Sequence, residues 1–159
     1  MGERVAIALG SNLGNSRAIL DGAIEMLSQM PDIAIISQSR WYHTKPVGPP
    51  QPDYLNGCIV AWVSRSPEEL LETLLQVELR FDRVRRERWG PRTLDLDLVF
   101  YGDCVVDTPT LQVPHPRLRE RAFVLVPLAD IAPNWIDPVS GQSVSRLLKA
   151  VNCSDVRPL

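Results

Sequence analysis

Two carboxylates, Asp95 and Asp97, stand one residue apart in RWGPRTLDLDLVFYG (residues 88–102), directly behind the most basic stretch of the chain. A β-strand alternates its side chains, so the aspartates share one face while Leu94, Leu96 and Leu98 share the other, the natural core face. Same-face neighbours lie roughly 6–7 Å apart, near enough for both carboxylates to lean toward a common point. Like charges that close repel unless a proton or a cation intervenes. An oxygen-seeking ion such as Mg²⁺ resolves the conflict, bound by one or two carboxylates plus substrate phosphates, and a pair of ions can be clamped in the same way.

The arginines around the pair extend that reading. Arg80, Arg83, Arg85, Arg86, Arg88 and Arg92 crowd one window and Arg117, Arg119 and Arg121 another, whereas lysine occurs only at Lys45 and Lys149. Arginine is the better residue for a two-pronged grip on phosphate or carboxylate oxygens. Carboxylate, metal, phosphate and arginine form the charge order that phosphoryl transfer requires. Blander readings of each part exist. D-x-D alone also fits polar alternation on a half-exposed strand, and an Arg-rich helix end also fits a solvated surface that complements the helix dipole. His115, between Pro114 and Pro116, is placed to reach a phosphate; His43 reads as a surface residue.

A second ligand is suggested further upstream. TKPVGPPQPD (residues 44–53) holds four prolines and a glycine, which makes a loop of restricted backbone. Tyr54 and Asn56 follow it on one strand face. An aromatic ring and an amide suit a planar heterocycle, though a core tyrosine and a turn asparagine would look the same. Trp89, beside Gly90-Pro91, reads equally as a lid or a packed anchor. There is no G-x-x-x-x-G-K-[ST], no G-x-G-x-x-G and no kinase D-F-G or H-R-D set, and Gly10-Ser11-Asn12 reads as a turn.

The elements that must position these residues follow from hydrophobic periodicity. RVAIAL (residues 4–9) reads as a buried first strand that Gly10-Ser11-Asn12 breaks. Leu20, Ala23, Ile24 and Leu27 mark one face of a helix over residues 16–30. Strands are expected over 33–42, 55–63 and 94–101. Ser66-Pro67-Glu68-Glu69 supplies an N-cap, a proline at the first helical position and a capping-box glutamate for a helix that frays near Asp82. Gly102-Asp103 reads as a tight turn into a short strand over 104–106, with short helices over 117–131 and a last helix over 143–151. Strand, helix, strand, strand, helix, strand is the order of an α+β, ferredoxin-like split β-α-β sandwich. Its helices would pack on one face of a mainly antiparallel sheet, and everything after Gly102 would be an added hairpin and helices.

Bulk properties bound the class. The chain has 159 residues, 45% hydrophobic and 23% charged, which fits a single domain over residues 1–159 with room for a core. A net charge of −2 speaks against a general nucleic-acid binder. No apolar run reaches the length of a membrane span, and MGERVAIALGS lacks the layout of a signal peptide. Three scattered cysteines, Cys58, Cys104 and Cys153, fit a reducing cytoplasm better than a disulfide framework.

GSNLG (10–14), YHTKPVGPPQPDYLN (42–56), RVRRERWGPRTLDLDLVFYG (83–102) and VPHPRLRERAFVLVPLADIAP (113–133) together resemble the 6-hydroxymethyl-7,8-dihydropterin pyrophosphokinases of folate biosynthesis, over nearly the whole chain. The resemblance implies a ferredoxin-like fold and transfer of pyrophosphate from ATP to the pterin hydroxymethyl group, with release of AMP. It implies that Asp95 and Asp97 coordinate two Mg²⁺ ions. Arg83 and Arg92 would act on the phosphates in the closed state, assisted by Arg85 and Arg88. His115 and Arg121 would touch the triphosphate, and Glu78, Leu98, Thr110 and Gln112 would lie along the nucleotide, the last two through backbone. Thr44 and Asn56 would hydrogen-bond the pterin edge, near Lys45, Pro46, the backbone of Val47 and Asp95. Tyr54 and Phe123 would stack on its two faces, and Trp89 would ride on the closing loop. The expected partners are ATP and the dihydropterin, with no nucleic acid and no membrane, and the expected state is a monomer. Asp82 stands where glycine is frequent, and Leu75 where glutamine sometimes contacts nucleotide. Two other readings of the Asp pair remain open: a metal-dependent phosphodiesterase or nuclease, and a nucleotide sensor without turnover.

Overall fold

The computed structural model describes residues 2–46, 49–81 and 93–159. Strand β1 (Glu3–Ser11) is followed by α1 (Ser16–Ser28), β2 (Ile33–Gln38), β3 (Tyr42–Thr44), β4 (Tyr54–Val63), α2 (Pro67–Phe81) and β5 (Asp95–Tyr101). Then come β6 (Val106–Asp107), β7 (Gln112–Val113), a 3₁₀ turn (Leu118–Glu120), α3 (Ala122–Ile131), α4 (Val144–Lys149) and β8 (Val156–Pro158). The main sheet has the order β5-β1-β4-β3-β8, with β2 on the same edge of β4 as β3, and its pairings are antiparallel. This is the split β-α-β arrangement expected from the order of elements. No helix among the described residues is long and apolar enough to cross a membrane.

The start of α2 forms as its sequence dictates. Ser66 N–H donates to Glu69 Oε1 at 2.9 Å, and Glu69 N–H donates back to Ser66 Oγ at 3.2 Å. That reciprocal box satisfies two otherwise orphaned donors and holds the Glu69 carboxyl below its ordinary pKa.

Four local expectations are corrected. Gly10 does not break β1, which runs through Ser11 because Gly10 is paired on both sides, with Asn56 and Asp95. The strand expected over 33–42 is two strands. Ser39 leaves the ladder to exchange hydrogen bonds with the Cys58 backbone, and Trp41 lies where a side chain on Gly57 would sit, 2.5 Å from its ring. The turn at Gly102 forms, with Cys104 N–H donating to Tyr101 C=O at 3.0 Å, but the next strand begins only at Val106 and pairs with β7 rather than β5. Finally, the helices occupy both faces of the sheet. Val5, Ile7, Leu9, Leu96 and Leu98 pack in a core with residues of α1 and α2, whereas Ala6, Ala8, Cys58 and Phe100 pack with α3 and α4. A bulge at Val99, between the pairs Ala6–Phe100 and Ile7–Leu98, lets β5 serve both cores.

Candidate active site

Asp95 and Asp97 open β5 with the alternation the sequence implies: both are half-exposed while Leu94, Leu96 and Leu98 are buried. Their register partners on β1 are Gly10 and Ala8, so the carboxylates stand beside the two smallest side chains of that strand. Space is left above the sheet. A cavity of about 500 Å³ opens there, lined by Asp95 and Asp97, by Thr44, Lys45 and Pro46, by Tyr54 and Asn56, and by His115, Arg121 and Phe123. Ten of the expected residues therefore meet at one place although they come from β3 and the two residues after it, from β4, from β5, and from α3 and the segment that leads into it.

Gly10 shapes the floor. A Cβ there would lie 2.7 Å from Asn56 Nδ2, so any larger residue would push the Asn56 amide aside, while at 3.5 Å from Tyr54 Cδ1 it would make only ordinary contact with the ring. Its role was hidden in the sequence by the turn-like look of Gly-Ser-Asn. Asn12, also read as part of a turn, is buried and donates from Nδ2 to Gln51 Oε1 at 2.7 Å and to Pro52 C=O at 2.9 Å. It ties the far end of the proline loop to the end of β1. Arg117 and Glu120, 2.9 Å apart, also line the cavity and were not anticipated.

Two polar atoms on the cavity wall are buried and have no hydrogen-bond partner among the described residues: Thr44 Oγ1 and Asn56 Oδ1. A buried polar atom left unpaired costs about 1–3 kcal/mol, so such atoms need an explanation. They share the cavity with the rings of Tyr54 and Phe123, a combination that matches the polar edge and flat faces of a planar heterocycle.

The same cavity also carries charged groups. Arg121 Nη1 lies 3.8 Å from Asp97 Oδ2, a loose pair at the limit of contact, and its guanidinium carbon is 5.4 Å from the Phe123 ring centre. Burial pushes the Arg121 pKa down, with Asp97 opposing. Burial also lowers the His115 pKa, against the pull of Asp97, and Arg121 and Arg117 add to the lowering. His115 Nδ1 accepts from Arg117 N–H at 3.2 Å, so the neutral ring carries its proton on Nε2 and offers a donor there.

The remaining expected residues divide clearly. Glu78 is buried and accepts from Leu96 N–H at 2.7 Å, which pairs an outward donor of edge strand β5 between the two aspartates. The Leu98 side chain is in the core under α1 and α2. Thr110 and Gln112 are exposed on the β6–β7 hairpin, away from the cavity lining, and Gln112 donates to Asp107 at 3.1 Å. Leu75 is exposed on α2, and His43 is on the surface as expected. Asp82, Arg83, Arg85, Arg86, Arg88, Trp89, Arg92 and Val47 lie outside the described residues.

Two carboxylates, an arginine and a histidine in one cleft with aromatic and amide side chains, on an α+β sandwich, fit a transferase of the kinase kind. The family model for 7,8-dihydro-6-hydroxymethylpterin-pyrophosphokinase matches residues 6–133, and the chain belongs to that family. It is 50% identical over 153 residues to the 2-amino-4-hydroxy-6-hydroxymethyldihydropteridine pyrophosphokinase of Synechocystis, covering 96% of this chain and 78% of that one. To the protein of the same name from Pseudomonas aeruginosa it is 42% identical over 149 residues, covering 93% and 91%. Among solved structures, a Plasmodium falciparum HPPK-DHPS triple mutant with SDX-DHP superposes with a TM-score of 0.75 at 13% identity, a likeness of fold. The match covers 94% of this chain and 41% of that longer one.

Proposed function

We propose that this chain transfers the pyrophosphoryl group of ATP to the hydroxymethyl oxygen of 6-hydroxymethyl-7,8-dihydropterin, a step in the formation of tetrahydrofolate. The hydroxymethyl oxygen attacks the β-phosphorus in line, the bond from that phosphorus to the α,β-bridging oxygen breaks, AMP leaves and the hydroxyl proton is lost. The observation that carries the substrate assignment is the pair of buried, unpartnered atoms, Thr44 Oγ1 and Asn56 Oδ1, in the same cavity as the carboxylates. A pterin edge offers ring and exocyclic N–H groups and a carbonyl, which satisfy both atoms, while Tyr54 and Phe123 hold its faces.

The chain's own groups divide the work by position. Thr44, Asn56 and the two rings orient the heterocycle so that its hydroxymethyl arm reaches toward the aspartates, and such orientation removes most of the entropic barrier between two substrates. Asp95 and Asp97 suit Mg²⁺. They are hard oxygen donors on one strand face, and no group of three or more potential ligands occurs among the described residues, so phosphate oxygens and water would complete the shell. Two Mg²⁺ ions held there would neutralise phosphate charge and polarise the transferred group. Arg121 and the Nε2–H of His115 face the same end and would bind phosphate oxygens. Arg83, Arg85, Arg88, Arg92 and Trp89 are assigned by family likeness to the segment that closes over the phosphates.

The deciding experiment mixes protein, Mg-ATP and the hydroxymethyl-dihydropterin and separates the nucleotides. AMP formed in step with pterin diphosphate supports the proposal. ADP as product, or nucleotide consumption that ignores the pterin, rejects it.

A further inference from the structure

Strand β3 has three residues, yet it carries Thr44 on the cavity wall and Tyr42 two positions earlier on the same face. Tyr42 is only 3% exposed and lies opposite Asn56 in the β3–β4 ladder. Its hydroxyl donates to Asp130 Oδ2 at 2.6 Å. Asp130 is in the last turn of α3, and Phe123 lies two turns earlier on the same helix, so the two share a helix face. Arg40 grips the same carboxylate from outside through its backbone N–H at 3.4 Å, Nε at 3.4 Å and Nη2 at 3.2 Å. One hydrogen bond therefore links the strand that bears Thr44 to the helix that bears Phe123.

Apolar packing holds α3 on the sheet but is not directional, whereas a short hydrogen bond fixes an angle. The angle matters because the two rings that line the cavity belong to different elements, Tyr54 to β4 and Phe123 to α3. A gap of roughly 0.5–1 Å beyond contact forfeits a quarter to a half of the dispersion energy on that face. The geometry points to Tyr42 and Asp130 as positioning residues for the heterocycle: their hydrogen bond sets the angle between β3 and α3, and with it the spacing between Tyr54 and Phe123. This inference rests on the pterin reading of the cavity.

The test compares Tyr42→Phe, Asp130→Ala, Asp130→Asn and the double variant Tyr42→Phe/Asp130→Ala by calorimetric binding of the dihydropterin and, separately, of a non-hydrolysable Mg-ATP analogue. Tyr42→Phe and Asp130→Ala are each expected to weaken pterin binding roughly three- to tenfold, with the nucleotide affinity within about twofold of the parent. Asp130→Asn keeps an oxygen acceptor for Tyr42 and should bind pterin nearly as the parent does. The double variant should be no worse than the weaker single one. Parent-like pterin affinity in Tyr42→Phe overturns the inference, as does an Asp130→Asn as weak as Asp130→Ala, or nucleotide affinity that falls in step. If Asp130→Ala does not fold, Tyr42→Phe and Asp130→Asn decide alone. A parent protein that binds no pterin rejects the functional reading, and this inference with it. A parent that binds, with variants unchanged, rejects the positioning role only.

Discussion

Thr44 offers a test in which stability and affinity should move in opposite directions. Its Oγ1 is buried without a partner among the described residues, and its backbone pairs with Tyr54 in β4. Valine keeps the branched shape that a strand favours and removes only the polar atom. In the free protein Thr44→Val abolishes an unsatisfied group worth about 1–3 kcal/mol, and after allowance for imperfect fit a gain of about 1 kcal/mol is expected. For a chain of this length that raises the melting temperature by about 2–4 °C. In the complex the same change deletes a hydrogen bond and leaves a polar group of the pterin unpaired, a loss of about 2 kcal/mol, or roughly thirtyfold in Kd. Thermal melts of the free protein and calorimetric titration with the dihydropterin read the two effects separately. A Thr44→Val protein that melts lower than the parent and binds pterin normally would refute the reasoning, because the hydroxyl would then be structural.

Three further outcomes are expected. Phe123→Ala should weaken pterin binding by roughly 1–3 kcal/mol through lost stacking and burial, with ATP binding nearly unchanged; equilibrium titration of both ligands checks it. Asp95→Asn and Asp97→Asn should each fold, lose about a hundredfold or more in turnover and require more Mg²⁺, as read by Mg²⁺ titration of the AMP-forming rate; near-normal turnover would return the residue to a simple ion-pair role. Burial keeps His115 below its ordinary pKa of 6.5, so the unfolded chain binds more protons and stability should fall as pH drops through 6.5 toward the folded value. A phosphate beside the ring favours its protonated form, so nucleotide binding should take up protons in this same range and tighten as pH falls. Calorimetry in buffers of different ionisation enthalpy should show that uptake in the parent and not in His115→Asn.

What the sequence made legible was whatever depends on local chemistry. The capping box at Ser66 and Glu69, the alternation of Asp95 and Asp97 against Leu94, Leu96 and Leu98, and the order of strands and helices all follow from spacing of two to four residues. The misread features depend on partners distant in the chain. Gly10 looks like a strand breaker until the Asn56 amide is seen to need its missing side chain. Trp41 ends the expected second strand because Gly57, sixteen positions later, leaves room for its ring. The second layer of helices was missed because α3 is apolar nearly all round, with Val124, Leu125 and Leu128 buried, and a short apolar helix does not announce which face of a sheet it will cover. For the site, residue types and motif likeness named most of the cavity wall. Neither could say that Thr44 Oγ1 and Asn56 Oδ1 would be left unpaired, since that is a property of the packed surroundings.

The charge balance of the cleft explains why two arrangements, a carboxylate pair and an arginine-rich segment, are needed together. Among the described residues lining the cavity, Lys45, Arg117 and Arg121 stand against Asp95, Asp97 and Glu120, so with His115 neutral the positive and negative groups are equal in number. Those six charges sum to zero, so the described lining offers a triphosphate no net attraction, and the two aspartates would repel one directly. On the proposed reading, divalent ions at the aspartates would reverse the sign there, and the five arginines between positions 83 and 92, which directly precede the carboxylate strand in the sequence, would supply further positive charge. On the same reading the heterocycle requires neither, because Thr44, Asn56 and the two rings would recognise it through hydrogen bonds and stacking. One cavity would then bind a neutral pterin as it stands and hold the polyphosphate only when metal and arginine charge is added. That difference would keep the reacting phosphorus from being fixed in place unless the groups that stabilise its transfer are present as well.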